Sequence, residues 1–89
     1  MIEQQIKIIN KLGLHARAAA KLVNTAASFA SAVTLYFGNQ QADAKSIMSV
    51  MMLAAEKGSV INVQCEGHDE QAALTSIAEL INDYFGEDE

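Results

Sequence analysis

The chain has 89 residues, 51% hydrophobic and 19% charged, a globular balance and not that of a disordered tail. Its length suits one domain over residues 1–89, because chains usually divide only above about 250 residues, and it leaves no room for a large cofactor cavity. Six basic against eleven acidic side chains give a formal charge of −5, which argues against nucleic acid as the main partner.

The N-terminal MIEQQIKIIN alternates polar with apolar residues, which predicts a strand over Ile2 to Ile9 rather than a signal peptide. Ile2, Ile6 and Ile8 form its apolar side, which Gln4 interrupts. Nowhere does an apolar run approach the ~18 residues of a membrane span, so no membrane insertion is expected. After a loop holding Gly13, Ala16 to about Ala27 is rich in alanine and leucine and predicts the first helix. Ala19, Leu22, Val23, Ala26 and Phe29 or Ala30 lie on its inner stripe.

Ala32 to Phe37 alternates again, and Gly38-Asn39 signals a hairpin to a short strand, Gln40 to Ala44. Ser46 is a good N-cap for a second helix from Ile47 to Ala54 or Ala55, with Gly58 ending it. Val60 to Cys65 is the fourth strand. Cys65 is the only cysteine, so no internal disulfide forms and a reducing, cytoplasmic setting is expected. Gly67-His68-Asp69 turns into a third helix, with Asp69 as its cap and Ala73, Ile77, Leu80, Ile81 and Tyr84 on the inner stripe. Glu87-Asp88-Glu89 reads as a frayed end. The order β-α-β-β-α-β-α predicts an α+β open-faced β-sandwich, a four-stranded antiparallel sheet with three helices on one face.

His15 directly precedes the first helix, and Arg17 follows two residues later. A helix N-terminus offers free N–H groups and the positive end of the dipole, which together hold anions. Arg17 adds a forked, permanently charged donor suited to phosphate oxygens. An imidazole with an unperturbed pKa of about 6.5 is largely available as a nucleophile at neutral pH. The pair is therefore a candidate phosphoryl site, with a surface histidine and an incidental arginine as the plainer alternative.

On the second helix, at about 100° per residue, Val50, Leu53 and Ala54 share one stripe, flanked by Ile47. Met48, Met51 and Met52 lie opposite. A helix packed on one side of a small sheet needs one apolar face, so the methionines are surplus for an outer docking surface. The alternative is that they fill gaps in the core. Lys21 and Lys45 are expected as a basic rim to that surface. Cys65 and His68 make half a metal site with no second pair, so no metal site and no cofactor is expected.

Asn10-Lys-Leu-Gly-Leu-His-Ala-Arg-Ala-Ala-Ala20 and Ala44-Lys-Ser-Ile-Met-Ser-Val-Met, in this order and separation, resemble the HPr phosphocarrier family of the bacterial phosphoenolpyruvate phosphotransferase system. The nitrogen-branch relative NPr is similar. The resemblance covers Ile2 to Phe85 and implies a monomeric carrier in sugar transport and its regulation. By that resemblance His15 accepts a phosphoryl group, as pros-phosphohistidine, from Enzyme I and passes it to an enzyme IIA, with Arg17 as stabilising partner. It further implies that Ile47, Met48, Met51 and Met52 dock partners. Ser46 becomes a candidate regulatory site for HPr kinase/phosphorylase, and its phosphate would place about two negative charges in the docking surface.

One departure stands out. The family usually reads His-Ala-Arg-Pro, whereas this chain has Ala18, which restores an N–H beside the anion site. An acyl-carrier reading fails, because such proteins are all-helical and modified at Asp-Ser-Leu, not Lys-Ser-Ile. A free-standing enzyme lacks a pocket or a second acid–base group. A purely regulatory module, or a nitrogen-branch carrier, is the remaining alternative.

Overall fold

A computed structural model describes residues 1–88. Strand β1 (Ile2–Lys7) is followed by helix α1 (Ala16–Ala27), strands β2 (Ala32–Phe37) and β3 (Gln40–Asp43), and helix α2 (Ile47–Met52). Strand β4 (Val60–Glu66), helix α3 (Glu70–Asn82) and a single 3-10 turn over Tyr84–Gly86 complete the order. The sheet runs β1-β4-β2-β3 with every pairing antiparallel, so β4 is an interior strand although it comes last in sequence. No helix among the described residues is long and apolar enough to cross a membrane.

Side chains two apart on a strand share a face. Ile61, Val63 and Cys65 of β4 are buried, as are Val33 and Leu35 of β2, Ile6 of β1 and Ala42 of β3. The register sets these side by side, with Ile6 opposite Ile61, Val63 opposite Leu35 and Leu35 opposite Ala42. The other face carries Glu3, which accepts hydrogen bonds from Asn62 and Gln64 across the ladder. The helices cover the apolar face: Ala18, Ala19, Leu22 and Ala26 of α1, Val50 of α2, and Ala73, Leu74, Ile77 and Ile81 of α3 are all buried there.

Several boundaries differ from the sequence reading, each for a packing reason. Strand β1 stops at Lys7, which pairs with the first residue of β4. Beyond it Ile8 still exchanges bonds with Ser59 and Gly58, as a loop and not a ladder. Helix α2 stops at Met52 and not at Ala54 or Ala55, and Gly58 does not end it. Ala54 takes φ +54, stays exposed, and swings Ala55 into the core. The carbonyl of Ala55 then accepts the N–H of Leu14 at 2.9 Å. Tyr84 does not continue the inner stripe of α3: Tyr84 and Phe85 have φ +58 and +55, and Phe85 is fully buried while Tyr84 is 39% exposed.

Asp69 flanks α3, but its carboxylate makes no cap to its own helix. It reaches instead to the corner between α1 and β2, accepting from the N–H groups of Ala30 and Ser31 at 2.9 Å each and from the Ser31 hydroxyl. The helix end is closed the other way, by Glu70 accepting the Gly67 N–H at 3.2 Å. Gly67 (φ +154) is required here, because a Cβ on it would lie 2.5 Å from Ser31 Oγ.

The Ser31 hydroxyl and then the Ala30 N–H, outweighing desolvation, hold the Asp69 carboxyl down at about 2 from its ordinary 3.8. A depressed carboxyl contributes stability above its unfolded pKa and loses it as pH falls through the folded value. The tie is therefore lost between about pH 4 and pH 2. Asp69→Asn is expected to be less stable than wild type at pH 7, with the difference narrowing as pH falls through that window. Thermal unfolding midpoints from pH 7 to pH 2 check this; a difference that stays constant with pH would contradict it.

Candidate functional site

Helix α1 begins where the sequence reading placed it. His15 is its N-cap, with extended backbone (φ −73, ψ 176) and no side-chain cap bond. The first intrahelical bond in this turn runs from Ala19 N–H to the His15 carbonyl at 2.8 Å. The N–H groups of Ala16, Arg17 and Ala18 precede it, and such groups have no intrahelical acceptor. Ala18 itself is fully buried, its methyl against the core. Its effect on an anion is therefore confined to its backbone N–H.

The approach to the helix is fixed by packing. Gly13 has φ +66, and a Cβ there would lie 2.6 Å from the Ala55 carbonyl oxygen. Only glycine permits this close approach of the two loops. Asn10 is fully buried and its Nδ2 donates to the Gly13 carbonyl at 2.9 Å, which stiffens the loop from inside.

His15 is half-buried, with 27% of its side chain exposed. It shares a shallow surface cleft with Arg17, Lys11, Leu12, Glu87 and Asp88. The expected pair of His15 and Arg17 is thus brought together on one surface. Arg17 is exposed and makes no ion pair with a described residue.

Sequence reasoning did not single out Lys11, Leu12, Asn10, Glu87 or Asp88 as members of the site. Leu12 is 65% exposed at its rim. Asn10 and Glu87 form the other side: His15 Nε2 lies 2.6 Å from Glu87 Oε2, and Asn10 Nδ2 donates to Glu87 Oε1 at 3.1 Å. Glu87 therefore does not belong to a frayed end. Burial pushes its carboxyl up, but hydrogen bonds from His15 and Asn10 and the charges of His15 and Lys21 outweigh this and hold it below the usual carboxylate range. Glu89, also assigned to that end, lies outside the described residues. The only forewarning of this contact was the Gly86 before Glu87, which permits a turn back.

The methionines divide as the periodicity required. Val50 and Leu53 are buried, while Met48 (67% exposed), Met52 (73%), Met51 and Ile47 face outward. Ser46 caps α2 by accepting the Ser49 N–H at 3.4 Å. Neither lysine of the expected basic rim is a free surface charge. Lys21 Nζ donates to the Phe85 carbonyl at 2.5 Å and Lys45 Nζ to the Phe29 carbonyl at 2.9 Å, so both tie chain segments together.

Cys65 lies buried in β4, where burial, with the charges of Glu70 and Asp69, pushes its thiol up and leaves it inert. No group of His, Cys, Asp or Glu among the described residues could hold a metal ion.

The family model described as the phosphotransferase-system HPr component phosphorylation site matches residues 2–83. The chain is 51% identical over 89 residues to the phosphocarrier protein HPr of Neisseria meningitidis serogroup A, covering 100% of both. It is 41% identical over 86 residues to the phosphocarrier protein NPr of Shewanella violacea, covering 97% of this chain and 94% of that one. Among solved structures, HPr from Thermoanaerobacter tengcongensis superposes with a TM-score of 0.96 at 43% identity, covering 100% of each chain. This agreement, running through the loop and first helical turn that carry His15, establishes that the chain belongs to the HPr phosphocarrier family of the phosphotransferase system.

Proposed function

We propose that the protein accepts a phosphoryl group from phosphorylated Enzyme I on His15 and hands it to an enzyme IIA, in the cytoplasm. The observation that carries this reading is the placing of His15 at the mouth of α1. There the imidazole and Arg17 line one open cleft, at the helix end whose first N–H groups have no intrahelical acceptor. A phosphoryl group has three peripheral oxygens that need donors and positive charge while the attacking and leaving atoms stay in line. The first turn of α1 and the Arg17 guanidinium supply both without covalent participation.

The cleft is shallow, so a partner must close it, and closure excludes water from the transfer. The outward face of α2 supplies a surface for that. Met48, Met51, Met52 and Ile47 are deformable apolar groups able to fit two different partners in turn. Ser46 stands at the N-terminus of this helix, and we assign it as a regulatory phosphorylation site, where added negative charge would repel acidic partners without unfolding the helix. The higher identity to an HPr than to an NPr supports the sugar branch. A purely regulatory module would have no use for the His15–Arg17 pair.

Intact-mass spectrometry after incubation with phosphoenolpyruvate and Enzyme I tests the reading. One acid-labile phosphoryl adduct is expected on wild type and none on His15→Ala. No adduct with either the sugar-branch or the nitrogen-branch Enzyme I would overturn it. Ala18→Pro should fold and be phosphorylated, because the Ala18 N–H lies ahead of the first helical bond. Losing that donor to the bound anion is expected to shorten the phosphohistidine lifetime by about threefold. An unchanged hydrolysis rate would show that this N–H plays no part.

A further inference from the structure

We infer that the cleft between the end of β1, the loop before β4 and Tyr84 is a second binding site, for a phosphate monoester that carries a planar ring and has the size of a nucleoside monophosphate. It is separate from the acceptor role of His15, and its failure would leave that reading intact.

The distribution of cations points to it. Of the six basic side chains, Lys21 and Lys45 are tied to backbone carbonyls, and Lys11 and Arg17 line the His15 cleft. The other two, Lys7 and Lys57, are exposed, and neither ammonium group has a hydrogen bond or ion pair with a described residue. Both line one cleft of about 630 Å³, together with Ile8, Ile9, Gly58, Tyr84 and Asp88. Two like charges brought to one concave surface repel each other, and a bound anion relieves that repulsion.

The backbone holds the two lysines in place. Ile8 N–H donates to the Ser59 carbonyl at 2.8 Å and Gly58 N–H to the Ile8 carbonyl at 2.7 Å, so the two lysine-bearing segments run side by side. Ser59 N–H donating to the Glu56 carbonyl, and Glu56 N–H donating to Ser59 Oγ, close the turn that carries Lys57. A Cβ on Gly58 would meet nothing within 4 Å, so the surface above it is open.

Tyr84 supplies the other half of the site. Its φ of +58 is a conformation that bulky residues rarely take. Burial is not the return for it: Phe85 beside it is fully buried, whereas Tyr84 stays 39% exposed. Its hydroxyl has no hydrogen bond with a described residue. The turn thus sets an aromatic ring and an unbonded hydroxyl in the same cleft as the two ammonium groups. Backbone outliers of this kind cluster where ligands are clamped.

The ligand class follows from these groups. A phosphate monoester carries nearly two negative charges at pH 7 and three acceptor oxygens, which matches two cationic donors on separate segments. A planar ring stacks on an aromatic side chain, and Ile8 and Ile9 give the cleft an apolar lining for it. The volume lies in the range of small-molecule sites. Asp88 is the one acidic residue of the lining, and its carboxylate pairs with neither lysine.

NMR titration of the full-length, 15N-labelled chain with adenosine 5′-monophosphate tests this, beside ribose 5-phosphate and adenosine as its two halves. The nucleotide is expected to shift the Ile9, Lys57, Gly58 and Tyr84 amides saturably, with a Kd of about 1 mM, and each half to bind about tenfold more weakly. Exchanging both exposed lysines, Lys7→Gln with Lys57→Gln, should weaken the nucleotide about tenfold. Tyr84→Asn suits the left-handed backbone better than tyrosine; it should weaken the nucleotide and leave ribose 5-phosphate unchanged. Asp88→Asn should tighten the nucleotide about twofold. The His15 cleft is the competing anion site, so the titration is repeated in Arg17→Gln, where the Gly58 and Tyr84 shifts should persist. Shifts confined to residues 15–18, a Gly58 response that vanishes in Arg17→Gln, or a nucleotide bound no more tightly than ribose 5-phosphate would each overturn the inference.

Discussion

The close packing of α1 against its neighbouring helices is the constraint on which the site depends. Ala18, Ala19 and Ala26, with Leu22, are fully buried in the core. Small side chains let the helix backbone approach α2 and α3, and close packing then fixes the helix in place. A helix positioned so firmly carries its first turn with it. The N–H groups of that turn are therefore placed by the core, and the loop from Asn10 to Leu14 has only to deliver His15 to them. That loop is itself pinned, by Gly13 against Ala55 and by Leu14 bonded to the same residue.

Around this frame the cleft brings both signs of charge together within a chain of net charge −5. Arg17 and Lys11 line the cleft beside Glu87 and Asp88, next to the N-terminus of α1. Among the described residues, the carboxylate of Glu87 lies against His15 at Nε2. Lys21 and Lys45 serve as struts to backbone carbonyls. Total charge describes solubility and general partner class; a site of this size is decided by which few groups the fold brings within about 4 Å.

Most of the architecture could be read from periodicity, because each element is covered on one side only. The bounds of α1 and β2, the Gly38-Asn39 hairpin, the Ser46 cap and the outward methionines follow from patterns of 3.6 and 2. What periodicity could not show is where long-range packing overrides local preference. Ala54 enters the left-handed region so that Ala55 can be buried, and Phe85 displaces Tyr84 from the core in the same way. Asp69 looked like a helix cap and serves as a tie between two corners of the fold. His15 and Arg17 could be found because they are neighbours in sequence. Glu87 could not, since 72 residues separate it from His15 and an acidic chain end usually means a solvated one.

The proposed function turns on His15 carrying the phosphoryl group, with Glu87 lying against its Nε2. The most direct measurement is nitrogen–phosphorus coupling by NMR on the 15N-labelled, phosphorylated chain. The account predicts that phosphorus couples directly to Nδ1 while Nε2 keeps its proton. A phosphoryl group bonded to Nε2 would require Glu87 to be displaced and would contradict it.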